Sequence, residues 1–403
     1  CGFTGYRQDQ KTVIERMMKA IEHRGPDSEG SFCREKITLG FRRLSIIDLE
    51  DGQQPMESAD GNLHIVFNGE IYDYKELRAE LEAFGISFCT HSDTEVLINT
   101  IQQYGEKALD KLRGMFGFAV WNEQEQSLML ARDFFGIKPV YYAEIDGHFV
   151  FASEIKSILA FPGYERKVNQ KALEQYLSFQ YSPLEETFFK GIYKLMPGHM
   201  LLYKNGSYEI KTYFKPKLTP GQWDHKTNMA QLRSQLSEIL KDSVKHHMLS
   251  DVEVGAFLSG GVDSGYLASS SGADQAFTVG FDEGDRYSEV NKAAKVAEKA
   301  GLKHHVKIIS KQEFWDALPD VMYHMDEPLA DASAVALYFL SKEAAGHVKV
   351  VLSGEGADEL FGGYNIYREP ESLKKIAWIP FGVRRVIGKL AAKLPDVKGR
   401  DFL

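Results

Sequence analysis

The sequence predicts two domains, the second of them a parallel α/β sheet, and three observations carry the prediction. At 403 residues the chain exceeds one ordinary domain. Four strand-like apolar runs, 254–258, 276–281, 305–309 and 348–352, alternate with helical stretches such as 287–300, which Gly301 should stop. The first and last runs each open into a loop of glycines, hydroxyls and carboxylates. Two such loops at the carboxyl ends of strands are how an open parallel sheet assembles one site.

The first loop reads Phe257-Leu258-Ser259-Gly260-Gly261-Val262-Asp263-Ser264, an apolar strand ending in glycines and hydroxyls at a helix start. That local geometry holds a phosphate, so a nucleotide is the first ligand to expect. A Walker loop would close on Gly-Lys-Ser/Thr; no lysine stands here, which argues against a P-loop kinase or GTPase. The second loop reads Ser353-Gly354-Glu355-Gly356-Ala357-Asp358-Glu359. Ser-Gly-Gly alone is an ordinary turn and Asp-Ser an ordinary helix cap. The pair of loops carries the argument.

Composition narrows the class. An apolar fraction of 43%, a charged fraction of 26% and a formal charge of -9 describe a globular protein of mild charge. No lysine and arginine run forms a phosphate-tracking stripe, so no nucleic-acid partner is expected; residues 389–398 read as a solvated helix face. No segment approaches the roughly 20 apolar residues needed to span a bilayer, and no signal-peptide pattern opens the chain. The expectation is a cytoplasmic protein without a membrane partner. Cys1, Cys33 and Cys89 show neither CxxC spacing nor a disulfide count, so a reducing compartment is expected and structural zinc is not.

The front half is read piece by piece. If Cys1 carries the chain's free α-amine, one residue supplies a thiol nucleophile and, with an amine pKa of about 7.7 to 8.0, a base that can take its proton. A helix with apolar Val13, Met17, Met18 and Ile21 leads to the turn His23-Arg24-Gly25-Pro26-Asp27. Phe41-Arg42-Arg43-Leu44-Ser45-Ile46-Ile47-Asp48 puts arginines beside a short apolar strand. A further strand, 63–67, is expected to stop at Asn68-Gly69-Glu70-Ile71-Tyr72-Asp73, where the Gly69 N–H and the Asn68 amide are two donors able to make an oxyanion hole. Asp73 and Glu76 fit a capping pair for the helix bearing Leu77, Leu81 and Phe84, and Ser92 fits the cap of the helix opening Asp93-Thr94-Glu95. Residues 214–221, with two prolines and a glycine, read as the linker, and the stripe Met229, Leu232, Leu236, Ile239 or Leu240, and Val244 reads as core. Each piece alone has a commoner structural explanation.

Together they are not independent. His-Arg-Gly-Pro-Asp, Arg-Leu-Ser-Ile, Asn-Gly-Glu-Ile-Tyr and Ser-Asp-Thr-Glu, followed by Gly136-Ile137-Lys138-Pro139, Phe151-Ala152-Ser153-Glu154 and Met196-Pro197-Gly198, closely resemble the glutaminase domain of N-terminal-nucleophile (class II) amidotransferases. The back half resembles the ATP pyrophosphatase-type domain of glutamine-hydrolysing asparagine synthetases. The resemblance implies an α+β front domain, an αββα sandwich over 1–213, a linker over 214–226, and an α/β synthetase domain over 227–403. Members of that family continue beyond the equivalent of Leu403, so the chain is expected to be a fragment in its second domain.

The resemblance also implies roles. Cys1 would form a γ-glutamyl thioester, with Asn68 and Gly69 stabilising the oxyanion. Arg43 would hold the glutamine α-carboxylate, Glu70 and Asp93 would face its α-ammonium, and Leu44, Ser45, Ile46 and Ile47 would line the pocket. In the back half Ser259, Gly260, Gly261, Val262, Asp263 and Ser264 would cradle pyrophosphate, while Phe257, Leu258, Val279, Ser353 and Gly354 would surround adenosine. Asp263 and Asp358 would hold Mg²⁺, Glu355 would act at the acyl-adenylate, and residues 326–333 would contact the acceptor. The implied activity is glutamine-dependent amidation of aspartate at the expense of ATP, with glutamine, aspartate and ATP as small-molecule substrates. Two other readings stay open: a related amidotransferase acting on another carboxylate, such as a cell-wall precursor, and a non-catalytic nucleotide-binding protein on a decayed scaffold. The oligomeric state is open, a homo-oligomer included.

Overall fold

The computed structural model describes residues 1–217, 228–282, 289–368, 370, 374 and 377–391. Most of the expected linker, the start of the expected 287–300 helix and most of the basic stretch 389–398 lie outside them.

In the front half the strands are β1 (Gly2–Thr4), β2 (Ser28–Cys33), β3 (Ile37–Arg43), β4 (Met56–Glu57), β5 (Leu63–Ile71) and β6 (Gly114–Asn122). They continue with β7 (Ser127–Arg132), β8 (Tyr141–Ile145), β9 (His148–Ala152), β10 (Ile192–Lys194), β11 (His199–Lys204) and β12 (Ser207–Thr212). The helices of this half are α1 (Gln10–Lys19), α2 (Tyr74–Ala83), α3 (Asp93–Tyr104), α4 (Ile155–Leu159) and α5 (Gln170–Phe179). One sheet runs β10-β8-β9-β1-β3-β2 and the other β12-β11-β7-β6-β5-β4.

Strand alternation explains the layering. Along β5, Leu63, Ile65 and Phe67 join the core under α2 and α3, whereas Val66 points the other way, into a core shared with Ile37 and Leu39 of β3 and Phe149 of β9. On the far side Phe3 and Val150 pack under α1 and α4 with Ile14, Met17 and Ile158. The order is helices, sheet, sheet, helices, the αββα sandwich that the resemblance implied.

In the back half α6 (Met229–His247) precedes β13 (Val254–Phe257), α7 (Val262–Ser270), β14 (Gln275–Phe281), α8 (Val290–Ala300) and β15 (Lys303–Ile309). Then come α9 (Lys311–Asp316), α10 (Leu318–Met325), α11 (Ser333–Ala345), β16 (Val350–Leu352), α12 (Ala357–Phe361) and α13 (Phe381–Ala391). The four strands pair in parallel in the order β15-β14-β13-β16. The chain order reverses between β13 and β16, so the crevice at their carboxyl ends is the topological switch point where such sheets bind ligands. Both glycine loops open there. Gly301 ends α8 in the left-handed region at φ 71°, as expected.

Three expectations are corrected. The strand does not stop at Asn68: β5 runs on to Ile71, pairing Asn68 with Gly117 and Gly69 with Phe116, because β6 continues alongside. Asp73 does not cap α2 with its side chain; its carboxylate accepts from the Arg113 N–H at 3.0 Å instead. The α6 stripe is not core, since Met229, Leu236 and Ile239 are exposed and only Val244 of the helix is buried.

Candidate active site

Cys1 stands at the start of β1, an interior strand of its sheet, and its α-amine donates to the Gly40 carbonyl at 2.9 Å. The Cys1 Sγ lies 3.5 Å from the same oxygen. Burial lowers the α-amine pKa to about 5, so the amine is neutral at pH 7 and able to accept a proton. A cavity of about 230 Å³ opens over this residue. Arg43, Leu44, Ile46, Ile47, Asn68, Gly69, Glu70 and Asp93 line it with Cys1. Of the expected glutamine-site residues only Ser45 is absent from the lining, and its N–H donates to Asp27 Oδ2 at 2.9 Å behind it.

The β5 edge explains why two donors face this cavity. The Phe116 backbone N–H and carbonyl both bond Asp133, which turns them away from β5. By the antiparallel pattern Gly69, opposite Phe116, then points its own N–H to the outer edge. On that edge Phe67 N–H donates to Gln54 Oε1 at 2.7 Å and Ile71 N–H to Asp93 Oδ2 at 3.0 Å, with Gly69 between them. Beside it the Asn68 Nδ2 is buried without a hydrogen-bond partner. A buried amide left unbonded costs about 1–3 kcal/mol, which a ligand oxygen would relieve. Only glycine fits at position 69, where a Cβ would sit 2.1 Å from the Met115 carbonyl oxygen.

The cavity is also charged. Glu70 is pushed up to about 7, first by burial and then by the neighbouring Asp93, with Lys138 opposing. Asp93 is pushed up to about 6 by burial, against the Ile71 and Thr94 N–H groups that hold its charged form. Two carboxylates made reluctant to ionise by burial would be relieved by a cationic ligand group. The buried Arg43 guanidinium donates to the carbonyls of Ile47 (3.2 Å), Asp48 (2.5 Å) and Leu49 (3.3 Å). It therefore shapes the segment after β3 as well as facing the cavity.

Arg24, Lys138 and Ser153 also line the cavity, roles that the sequence reading did not assign. Each lay inside a quoted motif, so the signal was present but carried no chemistry until the fold brought the motifs together.

In the back half the loop after β13 closes on itself through Ser259 Oγ and Ser264 Oγ, 2.9 Å apart. Gly260 adopts φ +80° and packs against α8 so closely that a Cβ would lie 2.7 Å from the Lys292 Cβ. The loops after β13 and β16 meet: a Cβ on Gly354 would lie 3.5 Å from both the Asp263 Cβ and the Ser264 N–H nitrogen. Leu258 is tied to β14 through its N–H to the Phe277 carbonyl and its carbonyl to the Thr278 hydroxyl, next to Val279. Phe257 is half-buried, and Val262 is exposed at the first turn of α7, where Gly261 is the N-cap. Glu355 is exposed and accepts from the Ser353 hydroxyl at 3.3 Å, while the N-cap of α12 is Gly356. Asp358 stands in the first turn of α12.

Of residues 326–333, which the resemblance placed at the acceptor, the first two bond the front half. Asp326 Oδ2 accepts from the Ile155 N–H at 2.7 Å, its Oδ1 lies 3.0 Å from Lys156 Nζ, and Glu327 Oε1 accepts from the Phe188 N–H at 2.8 Å. Both carboxylates are spent on the front half because buried backbone N–H groups need acceptors there. Among the described residues no helix is long and apolar enough to cross a membrane.

A cysteine opening an interior strand of an αββα sandwich, with donors and carboxylates converging on it, defines a class II glutamine amidotransferase fold; the parallel sheet behind it carries two glycine loops at its switch point. Comparison with known proteins agrees. Residues 1–214 match the family described as glutamine amidotransferase domain and residues 235–400 the family described as asparagine synthase. The chain belongs to the glutamine amidotransferase and asparagine synthase family. It is 45% identical to an asparagine synthetase (glutamine-hydrolysing) of Bacillus subtilis, over 100% of this chain and 65% of the relative. It is 33% identical to a putative asparagine synthetase of Methanocaldococcus jannaschii (99% of this chain, 82% of the relative). It is also 32% identical to an amidase of Gibberella zeae, over 89% of this chain and 57% of that protein.

Proposed function

We propose that this chain carries the glutaminase site and the nucleotide loops of a glutamine-dependent asparagine synthetase, with a front domain over 1–213, a linker over 214–226 and a synthetase domain over 227–403. The observation that carries the reading is the unpartnered Asn68 Nδ2 buried in the same cavity as Cys1. Cys1 Sγ attacks the γ-carbonyl of glutamine and its proton passes to the neutral α-amine, directly or through one water. The oxyanion that forms takes hydrogen bonds from Asn68 Nδ2 and the Gly69 N–H. The amine returns the proton to the leaving nitrogen, ammonia departs, and water then hydrolyses the thioester to glutamate and free Cys1. Arg43 holds the α-carboxylate; Glu70 and Asp93 hold the α-ammonium.

In the back half the aspartate β-carboxylate attacks the α-phosphorus of ATP, pyrophosphate leaves into the loop 259–264, and ammonia displaces AMP from the acyl-adenylate. Phe257, Leu258, Val279, Ser353 and Gly354 contact adenosine, and Glu355 takes the proton that ammonia sheds. Asp263 and Asp358 would supply the hard oxygen donors that Mg²⁺ prefers, where the two loops meet at Asp263 and Gly354; an ion held there would neutralise charge on the departing phosphates. A second reading, amidation of a different carboxylate, draws on the relative that is an amidase.

The test is ammonia and glutamate release from glutamine by this chain beside Cys1→Ala, with the N-terminal mass checked for a free cysteine. Cys1-dependent release supports the glutaminase reading. Its absence from protein with a verified free cysteine sinks it. Product identification with aspartate against other carboxylates, in the longest natural chain, separates the two acceptors.

A further inference from the structure

At the amino edge of the parallel sheet, opposite the end that carries the nucleotide loops, two histidines and a glutamate converge. His305 of β15, Glu343 in the last turn of α11 and His347 just beyond that helix offer ligand atoms that all lie within 4.8 Å of one another. The His305 and His347 rings are 4.1 Å apart between centroids. Phe277, fully buried, stacks flat on His305 at 5.0 Å and 16°. We propose that His305, Glu343 and His347 form a binding site for a borderline divalent transition ion of the Zn²⁺ class.

The hydrogen bonds behind the cluster fix the chemistry. Gln275 Nε2 donates to Glu253 Oε1 at 2.6 Å, which orients the Gln275 carbonyl toward His305. His305 Nε2 lies 2.8 Å from that carbonyl oxygen and must be the donor, because an amide oxygen can only accept. The other ring nitrogen, Nδ1, then keeps a free lone pair. A ligating histidine whose remaining N–H is held by a carbonyl or carboxylate is the outer arrangement that protein metal sites use to lock tautomer and ring orientation. Glu343 and His347 share no hydrogen bond: His347 Nε2 and Glu343 Oε1 stand 3.8 Å apart, an ion pair when the ring carries a proton, whose place a metal cation can take.

The surroundings favour a cation. Glu343 and His347 bracket the carboxyl end of α11, a 13-residue helix whose final carbonyls place partial negative charge there. Imidazole with one carboxylate suits Zn²⁺, Co²⁺ or Ni²⁺, whereas Mg²⁺ prefers all-oxygen sites. The cysteine count spoke against structural zinc, but it had no bearing on a site without thiolates. Bound here, the ion would clip the edge strand β15 to α11, which packs on Phe277 through Ala344 and Leu340.

The test uses the full chain, stripped with chelator and titrated with Co²⁺ by visible absorption and with Zn²⁺ by calorimetry. The expected result is one tight equivalent whose Co²⁺ spectrum shows d–d bands without thiolate charge transfer, which separates it from any site made by Cys1, Cys33 or Cys89. His347→Gln, at an exposed position, should weaken that equivalent at least about tenfold, and Gln275→Leu about tenfold through the orienting hydrogen bond. Melting of the variants in chelator should match the parent. No tight equivalent, or one that survives both His347→Gln and His305→Gln unchanged, overturns the proposal.

Discussion

Lys349 Nζ donates to Asp27 Oδ2 at 2.6 Å, and the same oxygen accepts the Ser45 N–H at 2.9 Å. That contact, with the Ser45 bond, holds the Asp27 carboxyl below the usual range. Lys349 directly precedes β16, whose far end carries the second glycine loop. Asp251, just before β13, does the same for the neighbouring segment: its carboxylate accepts the Asp48 N–H at 2.8 Å and its own N–H donates to the Ile46 carbonyl at 3.0 Å. The amino ends of the two loop-bearing strands thus hold residues 45–48 against the front cavity. Lys349→Ala should raise the KM for glutamine by up to about fivefold with little change in kcat, since a half-exposed pair is worth about 1 kcal/mol at most. Steady-state kinetics with Lys349→Arg as the rescue checks it; an unchanged KM would show that the segment keeps its shape unaided.

The two buried carboxylates set a pH dependence. Glu70 titrates near 7 and Asp93 near 6, both raised by burial, so their charged forms are penalised in the folded protein. For stability the sign is unfavourable at high pH: the penalty is full above about pH 7 and is relieved as pH falls through 7 and 6 toward the unfolded values. Glu70→Gln should therefore stabilise the fold at pH 8, by on the order of 2 kcal/mol, and do little at pH 5. Glutamine use should run the other way, because an ammonium group needs both carboxylates ionised. The wild-type kcat/KM should fall below about pH 7, and Glu70→Gln should flatten the upper part of that fall while lowering the whole profile. Denaturation at both pH values beside the pH–rate profile tests the pair of claims.

Much of this arrangement was legible because it is local. The alternation of strand runs announced the parallel sheet, Gly301 marked a left-handed stop, and Ser92 accepts from the Glu95 N–H as a cap should. What stayed hidden depends on partners far away in the chain. The bonds of Asp326 and Glu327 were not readable, because nothing nearby in sequence names Ile155 and Phe188, 171 and 139 positions distant, as their donors. Asp73 looked like a cap until the Arg113 N–H claimed it. The α6 stripe has the period of a buried face, yet period alone does not say what packs on it. In the cavity, the residue types were readable at Cys1, Asn68 and Asp93, but the buried, unbonded state of the Asn68 amide exists only in the fold.

That amide makes the sharpest kinetic prediction. Under the proposed mechanism, Asn68→Ala removes one of two oxyanion donors and should lower kcat for glutamine hydrolysis about 10²- to 10³-fold. Because the donor is matched to the transition state, KM should move little. A comparable rise in KM with kcat preserved would instead assign Asn68 to ground-state binding.

The last prediction concerns the seam between the halves. Lys156 is buried, and its ammonium reaches both Glu154 (2.5 Å) and Asp326 (3.0 Å). Burial pushes Glu154 up, but His23, Lys156 and Arg24 outweigh it and hold the group at about 2; Asp326, also buried, is raised on balance. Removing the cation that bridges them would leave Asp326 without its ion-pair partner and Glu154 with His23 and Arg24, so Lys156→Met should cost about 3–5 kcal/mol at pH 7. Its dependence on pH separates charge from packing. In the parent, the Glu154 contribution is present above its unfolded value near 4.5 and fades as pH falls toward 2. In the variant both carboxylates bind protons more readily, so acidification from pH 7 to pH 5 should recover part of the deficit. Urea denaturation of parent and variant at the two pH values measures this directly. A deficit that stays constant would mean that the lysine stem, and not its charge, joins the two halves.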